Sequence, residues 1–120
     1  MPTTKPDKSQ HDLEAVQAKI AEWPEPFATI GSRLHDTIIS AGPKLKPRIW
    51  YGMPGYATAR SAPVIAFFRL DDGVMSLGLS EKAKVDREDD STLRPCAWFI
   101  DELDDRTLAK VAERVRIAFS

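Results

Sequence analysis

Residues 63–80 read Pro63-Val64-Ile65-Ala66-Phe67-Phe68-Arg69-Leu70-Asp71-Asp72-Gly73-Val74-Met75-Ser76-Leu77-Gly78-Leu79-Ser80. Two apolar runs, Pro63–Leu70 and Val74–Ser80, flank Asp71-Asp72-Gly73, and Asp-Gly favours the positive φ angles of a tight hairpin turn. This is the clearest strand pair in the chain. It makes an antiparallel sheet the organising element.

Toward the N-terminus, Tyr56–Arg60 reads as a short strand, and Gly52-Met53-Pro54-Gly55 as a turn or bulge. Before that, Lys44, Lys46, Arg48 and Trp50 alternate with Leu45, Pro47, Ile49 and Tyr51, the period of an amphipathic strand. Pro47 makes it an edge strand or a late-starting one. Further back the period changes to that of a helix. Leu13, Val16, Ile20 and Trp23 stripe a first helix that Ser9 can cap. Pro24 and Pro26 interrupt the pattern, and Phe27, Ile30, Leu34 and Ile38 stripe a second helix running to about Ala41. Gly42-Pro43 stops it. Toward the C-terminus, Glu81–Thr92 is a polar loop and Arg94–Ile100 a last strand. A final helix begins near Asp104 or Asp105 and buries Leu108, Val111, Val115 and Phe119. Strands grouped together and flanked by helices predict a two-layer α+β fold. The expectation is an antiparallel β-sheet of about five strands, with two N-terminal helices and a C-terminal helix packed on one face. Residues 1–8 read as a flexible tail, and residues 9–120 as a single domain.

Composition narrows the function. At roughly 100–200 residues per domain, 120 residues are one domain. A net charge of −1 argues against a general nucleic-acid binder. The longest uninterrupted apolar runs, Val64–Phe68 and Cys96–Ile100, are far too short to span a membrane. The N-terminal residues carry no apolar stretch of secretory type, so the cytoplasm is the expected compartment. One cysteine excludes an internal disulfide, and two histidines are too few for a conventional zinc site. There is no glycine-rich phosphate loop. His11 and His35 fall in different helices, His35 on the flank of its own, and Cys96 reads as a buried packing residue in the last strand. No catalytic constellation emerges, so a non-enzymatic domain without a cofactor is expected.

Charge is segregated along the chain. Lys44, Lys46, Arg48, Arg60 and Arg69 lie between Thr37 and Leu70 with no acid among them, whereas Asp71–Asp105 holds eleven acids and four bases. Such asymmetry creates local potentials that the net charge conceals. Most of the acids fall in a turn or before a helix, and Asp86, Glu88, Asp89 and Asp90 form a charged loop. On the final helix Arg106, Lys110 and Arg114 share one face, where like charges at four-residue spacing oppose helix formation. In the basic strand, if Ile49 and Tyr51 face the core, alternation sets Trp50 outside beside Lys46 and Arg48. An exposed tryptophan beside cations can stack on a ligand or anchor a partner. The alternatives are that Arg48 or Lys46 lies across the indole, or that a second subunit covers it.

The segment Ile49-Trp50-Tyr51-Gly52-Met53-Pro54-Gly55-Tyr56 resembles the signature of the YdhG-like family of small bacterial proteins. The likeness continues through Pro63–Leu70, Gly78-Leu79-Ser80, Leu93-Arg94-Pro95 and Phe99–Leu103. It implies helices packed on one antiparallel sheet, similar to secretion-chaperone-like domains. One branch of that family is described as frataxin-like intracellular iron chaperones, which implies Fe2+ held by surface carboxylates. The only cluster here that could serve is Asp86, Glu88, Asp89 and Asp90. Within the motif, Pro54 biases Met53 toward extended geometry, and the kink directs Tyr51 and Tyr56 to one side, as a structural corner or as a pocket rim. The expected contact surface for a small ligand or protein therefore comprises Lys46, Arg48, Trp50, Tyr51, Met53, Pro54 and Tyr56. A sheet with helices on one side leaves its other face open to a homodimer.

Overall fold

The computed structural model describes residues 8–42, 44–85 and 92–120. In chain order the elements are α1 (Lys8–Ala21), α2 (Phe27–Ala41), β1 (Lys46–Trp50), β2 (Met53–Ala57), β3 (Ala66–Asp71), β4 (Val74–Leu79), β5 (Ala97–Ile100) and α3 (Asp105–Ala118). Each strand pairs antiparallel with its neighbour in sequence, giving one sheet in the order β1-β2-β3-β4-β5. The molecule is thus the α+β domain that the periodicities predict. Of the N-terminal tail, residues 1–7 lie outside the described residues, while Lys8 belongs to α1 and Ser9 lies within that helix.

The two hairpins are closed by loops of the same form. In β3–β4, Asp71 pairs with Val74, and Asp72 and Gly73 take φ of 51° and 74°. In β1–β2, Trp50 pairs with Met53, and Tyr51 and Gly52 take φ of 49° and 74°. Positive φ at both central residues matches the right-handed twist of the strands, as a two-residue hairpin loop requires. The second strand accordingly begins at Met53 and ends at Ala57, earlier than the Tyr56–Arg60 expected from sequence. Pro54 sits inside it without breaking a ladder, because pairing with β3 occupies only Gly55 and Tyr56. Pro47 lies on β1, the sheet's edge, where a missing N–H is tolerated.

Side-chain parity divides the sheet into a covered and an open face. Tyr56, Phe68, Met75 and Leu77 point to the helices and are almost wholly buried. They pack with Val16 and Ile20 of α1, Leu34 and Ile38 of α2, and Val111 and Val115 of α3 in one apolar core. Register places Lys46, Arg48, Trp50, Met53, Gly55, Phe67, Arg69, Val74, Ser76, Gly78, Ala97 and Phe99 on the other face.

Helix starts are fixed by side chains that take up otherwise unpaired backbone N–H groups. Thr107 donates its backbone N–H to Asp104 Oδ1 at 2.8 Å, the N-cap of α3. Ahead of α2, which follows a cis Glu25–Pro26 bond, Glu25 accepts both the Thr29 N–H (2.8 Å) and the Thr29 hydroxyl (2.7 Å). These bonds favour the charged carboxylates and hold Glu25 and Asp104 below their ordinary values. Arg33 donates to the Leu103 carbonyl at 2.9 Å and so ties α2 to the approach to α3.

Candidate functional site

The expected contact residues separate onto opposite faces of the sheet. Lys46, Arg48, Trp50 and Met53 fall on the open face. Tyr56 is fully buried on the helix side, and Pro54 is among the most deeply buried residues. These two are core residues, which corrects their assignment to a ligand surface. Nor do Tyr51 and Tyr56 share a side. Strand β1 ends at Trp50, so Tyr51 escapes the alternation and stands in the turn, 85% exposed. Ile49, expected in the core, has the parity of the helix side but is 39% exposed, because it lies on the edge strand.

On the open face Trp50 packs edge-on to Tyr51, with ring centroids 4.7 Å apart, and against Phe67 at 5.0 Å. Two glycines make room for side chains on this face. A Cβ on Gly55 would lie 2.9 Å from Trp50 Cβ, and one on Gly78 would lie 2.5 Å from Phe67 Cε2 and Cζ. The Phe67 ring, lying across its cross-strand partner Gly78, covers backbone that would otherwise face water. Phe99, on the same face, is 78% exposed, and Val74 is exposed as well. The face is therefore an aromatic strip from Tyr51 through Trp50 to Phe67, with Phe99 at the far edge.

Among the described residues no cation is seated over the Trp50 indole. Arg48 donates to the Arg60 carbonyl oxygen, and Arg60 in turn pairs with Asp12 of α1 at 2.7 Å. Arg69 stands 3.7 Å from Asp71. Among the described residues the cation seated over an indole is Arg114, 5.8 Å from the ring centroid of Trp98 on the helix side. The open face thus offers a half-buried tryptophan with Arg48 two residues along the strand and Lys46 at the strand's far end, an arrangement suited to an aromatic or apolar group that carries negative charge.

A second concentration of polar groups lies beneath α2. His35, expected on the flank of its helix, is 5% exposed, and its Nδ1 is 2.7 Å from the Tyr56 hydroxyl. Burial raises the Tyr56 phenol well above its ordinary value, with Asp36 acting in the same direction, so the hydroxyl keeps its proton. Burial also lowers the His35 imidazole, opposed by Asp36, which favours the neutral ring. His35 forms part of the wall of two open clefts, one of about 440 Å³ between α1 and α2 and one of about 520 Å³ that these helices share with Leu45, Lys46 and Pro47. The pair satisfies two buried polar groups, the ordinary role of a core histidine. Cys96, expected to be buried within the last strand, is exposed and lies just before it.

No protein family, curated protein or solved structure matches this chain. The carboxylates considered for Fe2+, Asp86, Glu88, Asp89 and Asp90, lie outside the described residues. Among the described residues no group of three or more His, Cys, Asp or Glu side chains is placed to hold a metal ion. No helix of the described residues is long and apolar enough to cross a membrane.

Sequence reasoning missed Phe67, Phe99 and the His35–Tyr56 pair. Phe67 was within reach, since the alternation that buries Ala66 and Phe68 turns Phe67 outward. His35 also carried a signal, because it lies four residues after buried Gly31 and three before Ile38. Phe99 required the register of β5 against β4, which no local pattern contains.

Proposed function

We propose that this protein is a cytoplasmic, non-enzymatic binding domain of YdhG-like type whose contact surface is the helix-free face of its sheet. The observation that carries this reading is the aromatic strip Tyr51–Trp50–Phe67 on a face that no helix of the described residues covers, on the same side of β1 as Lys46 and Arg48. Exposed aromatic clusters flanked by arginine are enriched where proteins bind ligands or one another. The chemistry that fits is an apolar or aromatic group joined to a carboxylate: the ring meets Trp50 and Phe67, and the carboxylate meets the cations.

The test is an amide NMR titration with 2-naphthoate, an aromatic carboxylate, alongside neutral 2-naphthamide. Saturable shifts at Lys46, Arg48, Trp50 and Phe67, weaker with the amide, are expected. Trp50→Ala should weaken binding at least about tenfold, as for an aromatic anchor. Shifts centred elsewhere, or equal affinity for the amide, would refute the assignment.

A further inference from the structure

The two edges of the sheet are protected very differently. Edge strands expose unpaired backbone groups, and proteins guard them with charge, proline or a covering element. Strand β1 has all of these, since Lys46, Pro47 and Arg48 lie on it and α1 packs against it. Strand β5 is Ala97-Trp98-Phe99-Ile100, without charge or proline, and among the described residues no strand pairs with its outer side. Leu79 donates its N–H to the Cys96 carbonyl at 2.7 Å. Alternation along the ladder then aims the backbone N–H and C=O of Ala97 and Phe99 away from β4.

Beside this edge lies a cleft of about 250 Å³ between β5 and α3. Leu77, Trp98, Ile100 and Val111 supply its apolar walls, and Lys110 and Arg114 its cations. This gives a use for the like charges Lys110 and Arg114, whose four-residue spacing does not favour the helix itself. The charge has a direction. Asp101, Glu102 and Asp104 gather where β5 ends and α3 begins, whereas Arg114 stands over Trp98, one residue from the Ala97 end.

We propose that β5 and α3 form a docking site for an extended peptide segment of a partner protein, added antiparallel to β5 as a sixth strand. Its backbone bonds to Ala97 and Phe99. One inward side chain is apolar and enters the cleft, and the next inward side chain, two residues later, is a carboxylate that meets Arg114 and Lys110. Strand addition of this kind draws affinity from backbone bonds and specificity from alternate side chains. The site is separate from the open-face surface around Trp50.

The probe is the acetylated, amidated pentapeptide Thr-Val-Thr-Glu-Thr, titrated against the full chain by amide NMR. Its valine and glutamate share one face in the required order. Saturable shifts over Ala97–Ile100 and Thr107–Arg114 are expected. Glutamine in place of the peptide glutamate, or reversal to Thr-Glu-Thr-Val-Thr, should weaken binding about threefold, and Arg114→Gln should do the same, as for one partly exposed charge pair. Ala97→Pro, which removes an outward N–H, should abolish binding. Methylating the peptide's backbone nitrogens tests the same bonds without altering the protein. Binding that survives both changes, equal affinity for a lysine-containing peptide, or no saturable shift would overturn the proposal.

Discussion

The two hairpins of the sheet share one turn geometry and reach it by different means. In β3–β4 the left-handed positions are filled by Asp72 and Gly73, residue types that tolerate positive φ. In β1–β2 the same positions hold Tyr51 and Gly52, and a large aromatic residue at φ 49° is disfavoured by about 1–2 kcal/mol. Local chemistry selects the β3–β4 turn. The β1–β2 turn is imposed from outside, by Tyr56 buried at the far end of β2, by its bond to His35, and by its ring stacked on Phe68 with centroids 6.1 Å apart. Strain in the first hairpin accompanies presentation of Tyr51 beside Trp50, at the margin of the proposed contact surface. Strain of this kind persists only where the surrounding structure over-determines it.

The comparison breaks most severely at that anchor. Tyr56→Ala should cost about 3–5 kcal/mol in denaturant unfolding, the loss of a fully buried ring. Tyr56→Phe should cost about 1–3 kcal/mol by leaving His35 Nδ1 unpaired. The same pair sets a pH dependence. Folding lowers the His35 pKa, so the unfolded chain binds this proton more tightly. Its contribution to stability is complete above the usual value near 6.5 and declines as pH falls below it, toward the lower folded-state value. The urea midpoint should drop between pH 7 and 5, and His35→Gln should flatten that part of the profile.

Next in size are the turn glycines. Gly52→Ala and Gly73→Ala should each cost about 1–2 kcal/mol, because both hold φ of 74° with open space where a Cβ would go. Equal penalties would sharpen the claim that the turns are alike, and a clear inequality would break it. An exchange of residue types tests the difference directly. Tyr51→Asn should raise stability by about 0.5–1 kcal/mol while weakening 2-naphthoate binding, and Asp72→Tyr should lower stability by a similar amount. Smallest is the tie between the β2–β3 loop and α1. Asp12→Asn should cost about 0.5 kcal/mol at low salt, since the Arg60 pair is partly exposed.

How far the sequence could be read follows from the range of each signal. The stripe Leu13–Val16–Ile20 and the stripe Leu34–Ile38 repeat every turn, so α1 and α2 were legible, as was α3 behind its Asp104 cap. Asp72-Gly73 announced its hairpin. The start of β2 was not legible, because Gly52-Met53-Pro54-Gly55 has turn composition and only its pairing with β1 and β3 makes it a strand. Lys46, Arg48 and Trp50 were correctly grouped by alternation. Tyr51 was misread because alternation was carried one residue past the strand end, and Pro54 and Tyr56 because adjacency in the motif was taken for a shared surface.

By itself the sequence determined the order and type of the elements, the single antiparallel sheet and the side of β1 that carries Trp50. Those properties arise from periodicity and turn chemistry within a few residues. Only the tertiary structure decided that Tyr56 and His35 meet in the core, that the Phe67 ring lies over Gly78, and that among the described residues no strand pairs with the outer side of β5, beside a basic cleft. Each of those results depends on register between strands or packing between helices. Such contacts join residues that are distant in the chain, and no local pattern encodes them.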